Sequence, residues 1–184
     1  MIWFDSLFLS VNARSAGFNI NLGILPNHTI LVLLTLVLIG ASPTSTGSGI
    51  KTTTAYVLYN HLRSFAVGHE VSVNKRVINN ESKARAYTLL IFIVLIIILG
   101  VTLLLILENI SFTDALFDVI GSVSNSGINI SPVTNFKVLT KLLLIVLMFI
   151  GRIGILTVLG LFNKNWSKPK VSQVEYIEEK VIVG

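Results

Sequence analysis

The sequence predicts an all-α integral membrane protein, and three observations predict it. The 184 residues are 53% hydrophobic and only 12% charged, against about 25% charge in a soluble domain. Tyr87–Leu107, YTLLIFIVLIIILGVTLLLIL, is an uncharged run of 21 residues. At about 1.5 Å per residue it spans a hydrocarbon core of roughly 30 Å. Leu142–Phe162, LLLIVLMFIGRIGILTVLGLF, is as long, with Arg152 at its centre. Mean hydropathy over the whole chain is +0.81.

The same composition excludes other classes. With zero cysteines there is no disulfide framework and no thiolate metal site. His28, His61 and His69 are scattered without metal-ligand spacing. The formal net charge is +5, but the basic residues form no long stripe, so nucleic acid is a poor partner.

From the N-terminus, MIWFDSLFLSV has no basic residue before its apolar part, unlike a secretory signal peptide. Thr29–Ile39 is apolar but has only 11 residues, too few to span unless the helix resumes beyond residues 40–54. That stretch, GASPTSTGSGIKTTT, admits two readings: a phosphate cradle or an unwound break in a membrane helix. A P-loop requires Gly, four residues, then Gly-Lys-Ser/Thr. Here Ile50 stands between Gly49 and Lys51, so the match fails. Pro43, Gly47 and Gly49 resist helix, and the Ser/Thr hydroxyls can satisfy freed backbone groups.

Between His61 and Ala86 lie Arg63, Lys75, Arg76, Lys83 and Arg85, against Glu70 and Glu81. Short loops rich in Lys and Arg stay cytoplasmic. Tyr87–Leu107 then runs outward, Leu142–Phe162 runs back, and the tail from Asn163 is cytoplasmic. Residues 108–137 fall on the outer side. There Ser111 is a candidate N-cap, with Asp114 in the first turn and apolar Leu116, Phe117, Val119 and Ile120, and SNSGIN follows. Taken alone, this segment fits either a helix lying on the membrane surface or a re-entrant helix returning as extended backbone.

An internal repeat favours the second. FDSLFLSVNARSAGFN (Phe4–Asn19) resembles TDALFDVIGSVSNSGIN (Thr113–Asn129). Both run Asp, Leu-Phe, small polar residues, then Gly-apolar-Asn, with Gly17 and Gly127 at matching places. Repetition marks a repeated unit, here helix, pore-type loop, helix.

At these residues the chain resembles the C-terminal half of the membrane subunit of the Trk/Ktr/HKT potassium-uptake family, Ktr above all. SVNARSAGFN, GASPTSTGSGIKTTT, FIGRIGILT and the ending EEKVIVG carry the resemblance, in the expected order. It implies potassium-channel-like repeats, one partial and one complete. Residues 1–64 would be a partial third repeat with pore helix, filter and broken second helix. Residues 65–86 would be a cytoplasmic linker, 87–162 a complete fourth repeat, and 163–184 a cytoplasmic tail. The first two repeats and the first helix of the third would be missing.

The resemblance also implies the site. Ser15, Ala16, Gly17 and Phe18, with Asn125, Ser126, Gly127 and Ile128, would be selectivity-filter segments whose carbonyls replace a cation's hydration shell. A glycine reaches backbone angles closed to other residues. Residues 40–54 would be the intramembrane loop that obstructs the pore below the filter, with Gly47, Ser48, Gly49, Lys51 and Arg152 at the gate. An arginine at mid-helix costs at least about 2.5–3.5 kcal/mol and must find partners. It would face the pore against the gate loop, or else form only a packing bond. Lys51 would line the gate or reach to the cytoplasmic interface. Arg14 would brace its loop through a carboxylate. Asp5, Glu108, Asp114 and Asp118 would give the outer mouth a negative field, or serve as helix caps and solvated charge.

The function expected is uptake of potassium, with sodium as a second candidate, through a filter-and-gate pore, not an enzymatic reaction. No cofactor is expected beyond the transported cation. Two filter segments make half of a fourfold ring, so the lipid-embedded chain would need the absent repeats or a second copy. The resemblance further implies a dimer above a cytoplasmic nucleotide-binding regulatory ring. The competing expectation is a non-transporting fragment of a truncated or split transporter gene. A soluble nucleotide binder is a distant third.

Overall fold

A computed structural model describes residues 3–14, 18, 26–40, 42–43, 45, 47–68 and 79–154. Among them the chain forms six α-helices and one 3₁₀ turn, with no strand beyond an isolated bridge between Ile39 and Ile50. The membrane-protein composition is thus matched by an all-helical architecture.

α1 is Trp3–Asn12, with Asp5 in its first turn, where a carboxylate favours the positive end of the helix dipole. α2, Asn27–Leu38, starts after Pro26, whose fixed φ of −67° suits a helix entry. α2 ends at Leu38, and the next helix is α3, Thr52–Val67. Gly68 caps α3 at φ 77°, its amide donating to the Ser64 carbonyl. α4 is Asn80–Leu107. Its stretch Ser82–Leu107 is the one helix among the described residues long and apolar enough to cross a membrane. α5, Phe112–Val123, starts at Ser111, whose Oγ accepts the Asp114 amide at 3.2 Å. The 3₁₀ turn Val133–Asn135 leads into α6, Val138–Ile153.

Two boundaries differ from the sequence expectation. The basic linker is shorter than residues 65–86, because α3 extends to Val67 and α4 begins at Asn80. α6 starts earlier than Leu142 and closes at Gly154, whose φ of 90° and ψ of 131° lie outside the helical region. Arg152 therefore stands in the last turn of α6, not mid-helix. Residues 155–162 and the tail 163–184 lie outside the described residues.

α5 is the element the others enclose. It packs against α2, α4 and α6, while α3 and α6 also pack on α4. Phe117 and Ile120 meet Leu9 and Ala13 of the first copy and Ile30, Leu33 and Val37 of α2. Ala115, Val119 and Val123 meet Val101 and Leu104 of α4 and Leu144 and Leu147 of α6. Gly100 lets α5 come close to α4: a Cβ there would sit 2.9 Å from a Val119 methyl. Eight of the twelve residues of α5 are buried within the bundle. Its hydroxyls are satisfied locally: Ser122 and Ser124 donate to the Asp118 and Ile120 carbonyls at 2.8 and 2.7 Å.

The outside of the bundle is apolar. Ile91, Val94, Leu95, Ile98 and Leu99 of α4 and Leu142, Ile145, Val146 and Phe149 of α6 are exposed. Such broad apolar faces suit acyl chains rather than water.

Candidate functional site

The chain leaving α5 turns sharply. Asn125 has φ 52° and Gly127 has φ 76°, both in the left-handed region. Asparagine is among the few side chains enriched there. Ser126 is fully buried, and its amide donates to the Gly121 carbonyl at 3.0 Å. Ile128 is also fully buried and inserts into the core between α1, α2 and α5. Its carbonyl lies against α5, since a Cβ on Gly121 would sit 2.7 Å from that oxygen. Of the four expected filter residues in this copy, Asn125 and Gly127 make the left-handed turn, while Ser126 and Ile128 are fully buried. Ile128 anchors the segment. In the first copy, Ser15, Ala16 and Gly17 lie outside the described residues. Phe18 is described, with its ring 5.8 Å from that of Phe8.

The break between α2 and α3 is a closed loop. Its ends are joined where the Gly40 amide donates to the Ile50 carbonyl at 2.9 Å and the Ile50 amide to Leu38 at 3.0 Å. Gly40 is required by this pinch, because a Cβ there would lie 1.9 Å from the Ser48 carbonyl oxygen. Inside the loop, Ser45 Oγ accepts the Gly47 amide at 3.2 Å. Lys51 folds back onto it, donating to the Ser45 carbonyl at 3.2 Å and to the Gly47 carbonyl. Its ammonium thus bonds loop carbonyls.

These pieces meet at one cavity of 390 Å³. Gly47, Ser48, Gly49, Lys51 and Arg152 all line it, and Val123 and Gly151 form part of its wall. α6 approaches the end of α5 so closely that a Cβ on Gly151 would stand 1.9 Å from the Val123 carbonyl oxygen. Above the cavity, Asn125 joins everything. Its Nδ2 donates to Ser48 Oγ at 2.9 Å and to the Met148 carbonyl of α6 at 3.0 Å. The residues singled out at two distant places in the sequence, the loop after α5 and the loop after α2, are in direct contact.

The acidic residues are disposed differently from the expected outer field. Asp118 is fully buried, and its Oδ1 accepts the amides of Ile130 at 2.9 Å and Ser131 at 3.5 Å. Glu108 accepts the Lys137 amide at 2.7 Å and the Thr140 hydroxyl at 2.8 Å. These bonds, with the Lys137 charge, hold its carboxyl below the usual glutamate range, against a smaller opposing effect of burial. Glu108 and the Oδ1 of Asp118 are thus engaged in structural bonds, while Asp118 Oδ2 is buried without a hydrogen-bond partner. Asp114 remains in the first turn of α5 beside its cap, and Arg14 is exposed. Sequence reasoning missed the latch formed by the Asn125 side chain and the role of Asp118. An aspartate between Phe117 and Val119 and an asparagine between two serines were the available signals.

Comparison with known proteins adds an independent finding. Residues 3–174 match the TrkH family, described as cation transport protein. The Ktr system potassium uptake protein D of Bacillus subtilis is 33% identical over 185 residues, covering all of this chain and 40% of that protein. The Ktr system potassium uptake protein B of Vibrio alginolyticus is 30% identical, covering 99% of this chain and 40% of the relative. The potassium/sodium uptake protein NtpJ of Enterococcus hirae is 27% identical, covering 98% and 41%. The chain thus spans about two fifths of the length of these relatives.

Proposed function

This chain belongs to the TrkH family of cation transport proteins, and on that premise we propose that it forms part of a membrane pore for uptake of monovalent cations, potassium first and sodium second. The family is one of transporters rather than enzymes, and the chain is a membrane protein.

One observation carries the reading: the Asn125 side chain bridges the turn after α5 to Ser48 of the loop after α2. A filter followed directly by an obstruction is what a gated cation path requires. Carbonyls of Asn125, Ser126 and Gly127 would replace the hydration shell of the ion, with Ser15, Ala16, Gly17 and Phe18 as the counterpart in the first copy. Below them the pinched loop, with Gly47, Ser48, Gly49 and Lys51, would close the path beside Arg152. Lys51 keeps that loop compact, and its movement would open the 390 Å³ cavity toward the cytoplasm.

In this arrangement α1 and α5 are pore helices, α4 and α6 flank the second of them, and α2 and α3 form one broken helix. The basic linker and the tail lie on the cytoplasmic side. Two filter segments are half of a fourfold ring, so a second copy or the repeats absent from this chain would complete the pore. The Ktr relatives are named as parts of a system, which supports a partnered assembly. A dimer with a cytoplasmic nucleotide-binding ring is the form we propose.

The test is growth of a bacterium lacking its own potassium uptake on limiting potassium. The chain, expressed with whatever second repeat pair the assembly needs, should restore growth. Arg152→Ala should raise uptake by loosening the gate. Failure of all forms to restore growth at normal expression would count against the pore. Lower uptake in Arg152→Ala with normal expression would make that arginine structural.

A further inference from the structure

Each copy of the repeated unit ties its loop back to the preceding helix with one buried polar side chain. On α5 this is Asp118, bonded to the amides of Ile130 and Ser131. On α1 it is Asn12, only 1% exposed. Its Oδ1 accepts the Phe18 amide at 3.1 Å, and its Nδ2 donates to the Phe18 carbonyl. Phe18 directly follows Gly17, and Ile130 comes shortly after Gly127.

Packing does not demand a carboxylate at this place. With the Leu-Phe pairs of the two copies aligned, Leu9 stands where Asp118 does, and it is buried as well. A polar group held in apolar surroundings is unfavourable unless its hydrogen bonds are made. Asp118 is held there with its Oδ1 on two backbone amides. The backbone it holds is one that needs holding. The left-handed angle at Asn125 persists only where the surroundings fix it, and glycine at 127 leaves the turn free to adopt other angles unless it is held. Asn125 is fixed on one side by Ser48 and Met148, Ile128 by its burial, and the chain beyond it by Asp118. Asn12 secures Phe18 in the same way, from a different helix position and with a different residue type.

We propose that Asp118 and Asn12 are positioning residues that fix the chain leaving each filter glycine and thereby set which cation the filter accepts. The proposal rests on the pore reading above. Neither side chain touches the ion. Each acts through the spacing of carbonyls between two anchored points.

The test compares the full chain with Asp118→Asn and Asp118→Ala in two measurements. The first is amide hydrogen exchange at Ile130 and Ser131 in lipid nanodiscs. The second is uptake of rubidium against sodium in liposomes. Asn keeps an acceptor oxygen and should retain slow exchange and the wild-type ion preference. Ala should speed exchange at Ile130 at least about tenfold, the factor for a lost buried hydrogen bond, and reduce the preference for rubidium. Should Asp118→Ala fail to fold, Asn12→Leu carries the same test, with exchange read at Phe18. Wild-type exchange in the Ala or Leu variant would overturn the proposal, as would faster exchange with unchanged ion preference. A wild-type chain that passes no rubidium even with the complementary repeats supplied would count against the pore reading instead. Exchange at Ile130 would then decide by itself whether Asp118 holds the segment.

Discussion

Gly127 holds φ 76° in the turn after α5, and Asn125 holds φ 52° two residues earlier. The two positions tolerate this for different reasons. Glycine has no Cβ to clash, while Asn125 gains bonds to Ser48 and Met148 through its side chain. Gly127→Ala should therefore lower the stability of the chain by about 1–2 kcal/mol, the strain of a left-handed L-residue, read as a fall in melting temperature in detergent. An unchanged melting temperature would show that the turn relaxes to another conformation. The sequence made Gly127 conspicuous because it recurs at Gly17. Ser48 stood out only as part of the loop expected at the gate, and nothing in the sequence paired it with Asn125. Asp118 was visible as a charge, but its bonds to Ile130 and Ser131 depend on how the chain folds back. Spacing could not distinguish that brace from a charge at a pore mouth.

Among the elements, the long apolar α4, the N-cap of α5 and the break between α2 and α3 were all legible. They follow from local chemistry: uninterrupted apolar residues, Ser111 before a helix, and Pro43 with Gly47 and Gly49 in a short apolar segment. The end of α6 was not legible. Gly154 sits inside an apolar run that reads as continuous, and only its φ of 90° stops the helix. How α4 is joined to α6 was also hidden, since Glu108 and Lys137 are far apart in sequence. The Glu108 carboxyl lies just beyond the apolar span, and the Lys137 amide, the Thr140 hydroxyl and the Lys137 charge favour its ionised form. Its pKa is thus lower in the folded chain than in the unfolded one. The stabilisation is fully present above the unfolded value and is lost as pH falls through the folded value. Melting temperature should fall on acidification through that range, and Glu108→Gln should flatten this part of the profile. An acid limb unchanged by Glu108→Gln would remove Glu108 as its source.

At the scale of the whole molecule, the two loops that carry the proposed chemistry are held by the same bundle. α5 enters the centre of the bundle and places its following turn on the loop that interrupts α2 and α3. The repeat between Phe4–Asn19 and Thr113–Asn129 suggested two equivalent units, but no sequence pattern said that one unit's turn rests on the other unit's broken helix. That arrangement arises from close backbone approaches at Gly40 and Gly151, where any side chain would collide with a carbonyl. The turn at Gly127 is the proposed cation filter. Rubidium uptake into potassium-loaded liposomes containing the purified chain tests it most directly, with Gly127→Asp as the comparison and the absent repeats supplied where the chain alone does not assemble. The wild-type assembly should take up rubidium, and Gly127→Asp should abolish or strongly reduce that uptake at equal incorporation. Equal uptake by both would contradict the filter assignment, because the cation would then be passing by a route that does not include this turn.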